Sequence, residues 1–141
     1  MITESVLDMI GRTPLLSLRK MTGAAIYAKA EYLNPGGSIK DRVAKNMLEQ
    51  AEARGDLKPG MTIMEPTSGN TGIGIALVGV QKGYRVVIVM PENMSEERKK
   101  IILALGAELI LTKAEDSIGG SVREVERQKA MNPAVYIPQQ F

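Results

Sequence analysis

The sequence contains no cysteine and no histidine. Without cysteine there is no disulfide and no thiol nucleophile; without histidine the usual zinc sites and a Ser-His-Asp relay are excluded, and no metal site is expected. Acid–base chemistry therefore falls to lysine, aspartate, glutamate or tyrosine, or to a bound cofactor. An excess of one charge is also missing. Lys and Arg total 18 against 16 Asp and Glu, a net charge of +2 that is too small to recruit a nucleic acid. No apolar run approaches a membrane span, and the opening Met-Ile-Thr-Glu-Ser lacks the basic-then-apolar pattern of a secretory signal. A cytoplasmic location with no membrane partner is the expectation.

What is present suits one domain with a proper core: 141 residues, 44% hydrophobic and 24% charged. Residues 4–10 read as a short helix ended by Gly11. The runs 14–18 and 25–30 read as two short strands joined by a turn at Lys20 to Gly23. The turn cluster Asn34-Pro35-Gly36-Gly37-Ser38 follows, with Ser38 as N-cap of a helix from Ile39 to Arg54. That helix would bury Val43, Met47, Leu48 and Ala51 and end at Gly55.

From residue 61 the pattern becomes regular. Strand-like runs at 62–64, 85–90, 108–112 and 134–137 alternate with helical stretches near 71–82, 95–105 and 117–130. The strands are short, continuously apolar and rich in Val and Ile, as expected when helices cover both faces of a parallel sheet. The spacing predicts an α/β fold: an open parallel four-stranded sheet with flanking helices, three layers deep, preceded by the N-terminal pair of short strands. In the helix near 95–105, Asn93 and Glu96 have capping-box spacing and Ile101, Ile102 and Leu105 face inward. Arg98, Lys99 and Lys100 read as a solvated face.

Two loops stand out. The stretch Glu65-Pro66-Thr67-Ser68-Gly69-Asn70-Thr71-Gly72 leads from a strand into a helix. Helix N-termini present unpaired N–H groups at the positive end of the dipole, Gly69 and Gly72 admit a ligand close to the main chain, and four side chains add hydroxyl and amide groups. An ordinary N-cap needs only one of them. In the other loop, Lys40 falls in the first turn of a helix, where an ammonium is disfavoured; a disfavoured, desolvated amine is a better nucleophile toward an aldehyde. The alternative is a solvent-facing lysine balanced by Asp41. A Walker-type loop is not supported, because Gly-Lys-Ser/Thr is absent.

Together, Asn-Pro-Gly-Gly-Ser-Ile-Lys-Asp-Arg (34–42) and Pro-Thr-Ser-Gly-Asn-Thr-Gly (66–72) resemble the cysteine synthase and cystathionine β-synthase family of pyridoxal-phosphate enzymes, fold type II. The resemblance continues through Gly-Arg-Thr-Pro-Leu (11–15), Met-Pro-Glu-Asn-Met-Ser-Glu-Glu-Arg (90–98), Leu-Gly-Ala-Glu-Leu (105–109) and Gln-Gln-Phe (139–141). It implies that Lys40 holds the cofactor covalently and moves the substrate's α-proton. It also implies that Thr67, Ser68, Gly69, Asn70 and Thr71 bind the substrate carboxylate, and that Asn70 touches the cofactor ring oxygen. Gln140, beside the aromatic Phe141, would complete the carboxylate site.

The activity implied is β-replacement on an activated serine, O-acetylserine plus sulfide giving cysteine. Cystathionine β-synthase-type replacement is an alternative, and so is a non-catalytic α/β module that keeps the carboxylate loop. By the same resemblance, residues 1–38 would pack with a larger domain absent from this chain, and 39–141 would form the small α/β domain. The loop for the cofactor phosphate would lie in that missing part, so the chain reads as a truncated N-terminal half. A homodimer and serine acetyltransferase are the partners the resemblance implies for the full-length enzyme.

Overall fold

A computed structural model describes residues 2–140. After a 3-10 turn at Val6–Met9, the elements are β1 (Leu15–Ser17), α1 (Arg19–Thr22), β2 (Tyr27–Lys29), α2 (Lys40–Arg54), β3 (Thr62–Pro66) and α3 (Asn70–Gln81). Then come β4 (Arg85–Pro91), α4 (Glu96–Ala104), β5 (Glu108–Thr112), α5 (Ser117–Met131) and β6 (Val135–Tyr136). The main sheet is parallel with strand order β5-β4-β3-β6, while β1 and β2 form a separate antiparallel pair. Both were expected from the sequence.

Side chains alternate across the sheet with period two, and each set meets its own helices. Ile63, Val86, Ile88 and Met90 pack with Ala44, Leu48 and Ala51 of α2, Ile73 to Val78 of α3, and Ile102 of α4. On the other face Met64, Val87 and Val89 pack with Val125 of α5 and Val135. This is the three-layer arrangement. Helix α3 is apolar on all sides because it is covered by β-strands and by α2; Thr71 through Gly79 are all buried.

Local departures have local causes. The helix expected at 4–10 is the single 3-10 turn, in which the Ser5 hydroxyl accepts the Leu7 N–H. The turn at 20–23 is the four-residue α1, closed by Gly23. In α2 the buried stripe is Asp41, Ala44, Leu48 and Ala51, with Val43 and Met47 at its margin. Gly55, at φ 77, ends this helix in the left-handed conformation, as expected.

The cap of α4 is Ser95, whose hydroxyl accepts the Arg98 N–H, and not Asn93, which lies in the turn closed by the Met94 N–H to Pro91 carbonyl bond. Glu96 reaches Lys99 instead of back to the cap. Lys99 is no part of a solvated face. It is buried, and its ammonium donates to the Glu92 carbonyl at 2.6 Å and to Glu96 at 2.7 Å. Ile101 points outward, 37% exposed.

Candidate functional site

Strand β3 neighbours both β4 and β6. The chain runs outward from β3 through β4 to β5, then returns by α5 to place β6 on the other side of β3. Such a reversal opens a crevice at the carboxyl ends of the two diverging strands. Residues 67–69, which follow β3, and residues 137–140, which follow β6, lie at those ends.

Helix α2 reaches the same place by close packing on α3. A Cβ added at Gly74 would stand 2.8 Å from the Lys40 carbonyl oxygen, so only glycine lets the two helix starts approach this closely. The N-cap of α2 is Ile39 and not Ser38, because the helix starts one residue later than expected; the Ser38 hydroxyl, just ahead of the cap, accepts the Lys40 N–H at 3.1 Å. Lys40 itself is half-buried. Asp41 does not balance it: that carboxylate turns back, fully buried, to accept the Gly36 N–H at 2.5 Å and fix the preceding turn. Burial pushes the Asp41 carboxyl above its ordinary range, and its Oδ1 has no hydrogen-bond partner among the described residues.

One cavity of about 330 Å³ is lined by Ser38, Ile39, Lys40, Thr67, Ser68, Gly69, Asn70, Thr71, Ile118 and Gln140. Lys40, Thr67, Ser68, Gly69, Asn70, Thr71 and Gln140, all singled out in the sequence, are among them; Gly72, expected to admit a ligand, is not. Ser38, Ile39 and Ile118 are additions. Ile118 had no signal in the sequence, since it arrives from the opposite helix layer.

The polar residues at the start of α3 are not spent on capping. Among the described residues no side chain caps this helix; the N-cap is Gly69, and the Thr67 hydroxyl accepts the Gly69 N–H at 3.3 Å. Among the described residues a Cβ at Gly69 would meet nothing within 4 Å, whereas at Gly72 it would come within 3.2 Å of Thr67 and Ile88 side chains. Gly69 thus borders open space and Gly72 serves packing. The Thr71 hydroxyl donates to the Gln140 side-chain oxygen, joining the two strand ends across the cavity. The arrangement of uncapped N–H groups, hydroxyls and amides suits a carboxylate, with a primary amine on the facing helix.

Two supporting residues escaped the sequence reading. The Arg98 guanidinium donates to the Ser68 carbonyl at 2.8 Å, so α4 braces the loop rather than only facing water. Glu65, 1% exposed at the end of β3, accepts the N–H groups of Gln139 and Gln140. Phe141, the aromatic neighbour of Gln140 in the sequence motif, lies outside the described residues.

Comparison with known proteins adds the following. A family model described as pyridoxal-phosphate dependent enzyme matches residues 6–141. A cysteine synthase of Staphylococcus aureus is 47% identical over 141 residues, spanning 98% of this chain and 45% of that protein. A probable cysteine synthase of Bacillus subtilis is 44% identical over 143 residues, spanning 99% and 46%. Among solved structures, a cysteine synthase from Entamoeba histolytica superposes with a TM-score of 0.92 at 44% identity, over 98% of this chain and 43% of that one. An O-acetylserine dependent cystathionine β-synthase from Helicobacter pylori gives 0.87 at 38% identity, over 98% and 47%. The chain spans slightly less than half the length of the curated relatives it matches.

Proposed function

Because the chain belongs to the family of pyridoxal-phosphate dependent enzymes, we propose that it contributes the lysine and the carboxylate pocket of a β-replacement enzyme. The reaction is exchange of the acetoxy group of O-acetylserine for sulfide, giving cysteine. The observation that carries this reading is the single cavity in which Lys40 faces Thr67, Ser68, Gly69, Asn70, Thr71 and Gln140.

The residues present fit the family's cofactor: a half-buried primary amine opens on the cavity, suited to a covalent bond with an aldehyde, and the space beside Gly69 is free. Lys40 would hold the cofactor and Asn70 would bond its ring oxygen. When bound, the cofactor supplies an electron sink for the pair left behind as the α-proton departs. Lys40 Nζ, freed once the substrate's own amine has taken its place on the cofactor, would take that proton and later return one. The hydroxyls of Thr67, Ser68 and Thr71, the first N–H groups of α3 and the Gln140 amide hold the substrate carboxylate, which fixes the α-carbon within reach of Lys40.

A second reading, cystathionine β-synthase-type replacement with a larger thiol in place of sulfide, draws on the likeness to the Helicobacter pylori enzyme. It uses the same residues and differs only in the acceptor. The exposed apolar side chains of β1 and β2 support the view that residues 1–38 pack on a further domain. A cytoplasmic location, a homodimer and a serine acetyltransferase partner belong to this proposal on the resemblance alone.

Titration of the purified chain with pyridoxal phosphate tests it. A saturable visible absorbance band is expected in the wild type and not in Lys40→Ala, followed by sulfide-dependent consumption of O-acetylserine when the band is present. A folded chain without the band would assign it the role of an α/β module with a carboxylate loop and no independent lysine site.

A further inference from the structure

The β3–β6 ladder ends early, covering only Thr62 with Val135 and Ile63 with Tyr136. Beyond it the returning chain leaves the sheet, and a side chain takes over from the ladder. Glu65 Oε2 accepts the Gln139 N–H and Oε1 accepts the Gln140 N–H, both at 3.1 Å. Gln139 adopts φ 55, the left-handed conformation that turns successive N–H groups toward one acceptor. A carboxylate as deeply buried as Glu65 is disfavoured unless donors meet its charge, and these two amides are the donors the structure supplies.

We propose that Glu65 is a positioning residue of the carboxylate pocket: its grip on two consecutive amides holds residues 139–140 at the end of β3 and sets where Gln140 meets Thr71. The pocket's role rests on the function proposed above; the grip itself does not. Glu65 forms no ion pair among the described residues. Burial pushes its ionisation up while the two amides pull it down, the former prevailing. The grip therefore loosens on acidification above the ordinary glutamate range, since a protonated carboxyl is a weaker acceptor.

The titratable neighbours are few. Tyr136 on β6 faces Glu65, with Arg54 and Asp56 beyond it, and burial moves the Tyr136 hydroxyl still further above neutral pH. Glu126 of α5 lines the cavity of about 140 Å³ on the other side, together with Val122, Val125 and Ile137.

Amide NMR of the full 141-residue chain tests the proposal. In the wild type the Gln139 and Gln140 amide shifts are expected to follow one titration with a midpoint above the ordinary glutamate value of about 4.3. Glu126→Gln leaves that titration in place. Glu65→Gln removes it and speeds exchange of both amides roughly tenfold or more, while the Ile63 and Val87 amides are unchanged. Flat shifts in the wild type overturn the grip even where the variant does not fold.

Positioning is read with L-serine against ethanolamine, which lacks the carboxylate. Glu65→Gln is expected to weaken L-serine roughly tenfold and leave ethanolamine unchanged. Equal L-serine affinity in both proteins overturns positioning. A wild type that binds no L-serine but shows the titration sinks the functional reading and with it the positioning, and leaves the grip standing.

Discussion

The N-terminal hairpin and the four-stranded sheet use similar apolar residues to opposite ends. Leu15, Leu16 and Tyr27 of β1 and β2 are 66%, 51% and 64% exposed, whereas Ile63, Ile88 and Val89 of β3 and β4 are fully buried. The sheet is held by apolar area removed from water on both faces. The hairpin has only one partner strand, and a lone two-stranded ribbon is at best marginally stable. What fixes it to the rest is a polar knot at its base.

Arg42 of α2 is the centre of that knot. Its guanidinium donates to both Glu31 oxygens at 2.9 Å, to the Gly11 carbonyl at 2.7 Å and to the Thr13 hydroxyl at 3.2 Å. The Asn34 side chain accepts the Gly11 N–H and donates to Glu31. The contrast teaches that burial defines the body, while directional hydrogen bonds to one helix define where the hairpin hangs. Since that helix begins with Lys40, the knot also steadies the start of the site.

Ile88→Ala should break the contrast most deeply. It leaves a cavity between the layers and costs about 2–5 kcal/mol, read as a lower denaturation midpoint for the whole chain. Arg42→Ala should lower the denaturation midpoint less, because its side chain is 37% exposed and water replaces part of what is lost. Its signature is local: faster amide exchange and proteolysis over residues 15–29 with the sheet amides still protected.

Acid should reproduce that effect without a mutation. The Arg42 hydrogen bonds hold the Glu31 carboxyl down to about 2. A depressed pKa means that the stabilisation is complete above the ordinary glutamate range and is lost as pH falls from there through about 2. The hairpin amides are therefore expected to open in that window. Leu16→Ser is the smallest change, within about 0.5 kcal/mol. A loss well beyond 1 kcal/mol would show that the hairpin face is covered in solution, which a concentration-dependent midpoint would trace to a second copy.

Much of this was legible in the sequence. Continuous Val and Ile runs separated by helical spacing announce a parallel sheet because both faces must be buried, and β3 to β5 fall within two residues of where that pattern sets them. The loop residues Thr67 to Thr71 carry more polar groups than a cap requires, and among the described residues none of their side chains caps the helix. Legibility failed where a side chain's partner is distant in the chain. Lys99 and Arg98 sit in a charged run, yet one is buried against the Glu92 carbonyl and the other braces Ser68. Local spacing carries no trace of either.

The sequence by itself determined the element order, the absence of cysteine and histidine chemistry, and the polar makeup of both loops, since these follow from residue type and short-range periodicity. Only the tertiary structure decided that Lys40, Thr67 to Thr71 and Gln140 share one cavity. That depends on the chain reversing beside β3, on α2 and α3 touching at Gly74, and on Glu65 gripping a segment 74 and 75 residues away. Contacts of that length arise from packing the whole sheet, and no window of sequence contains both ends.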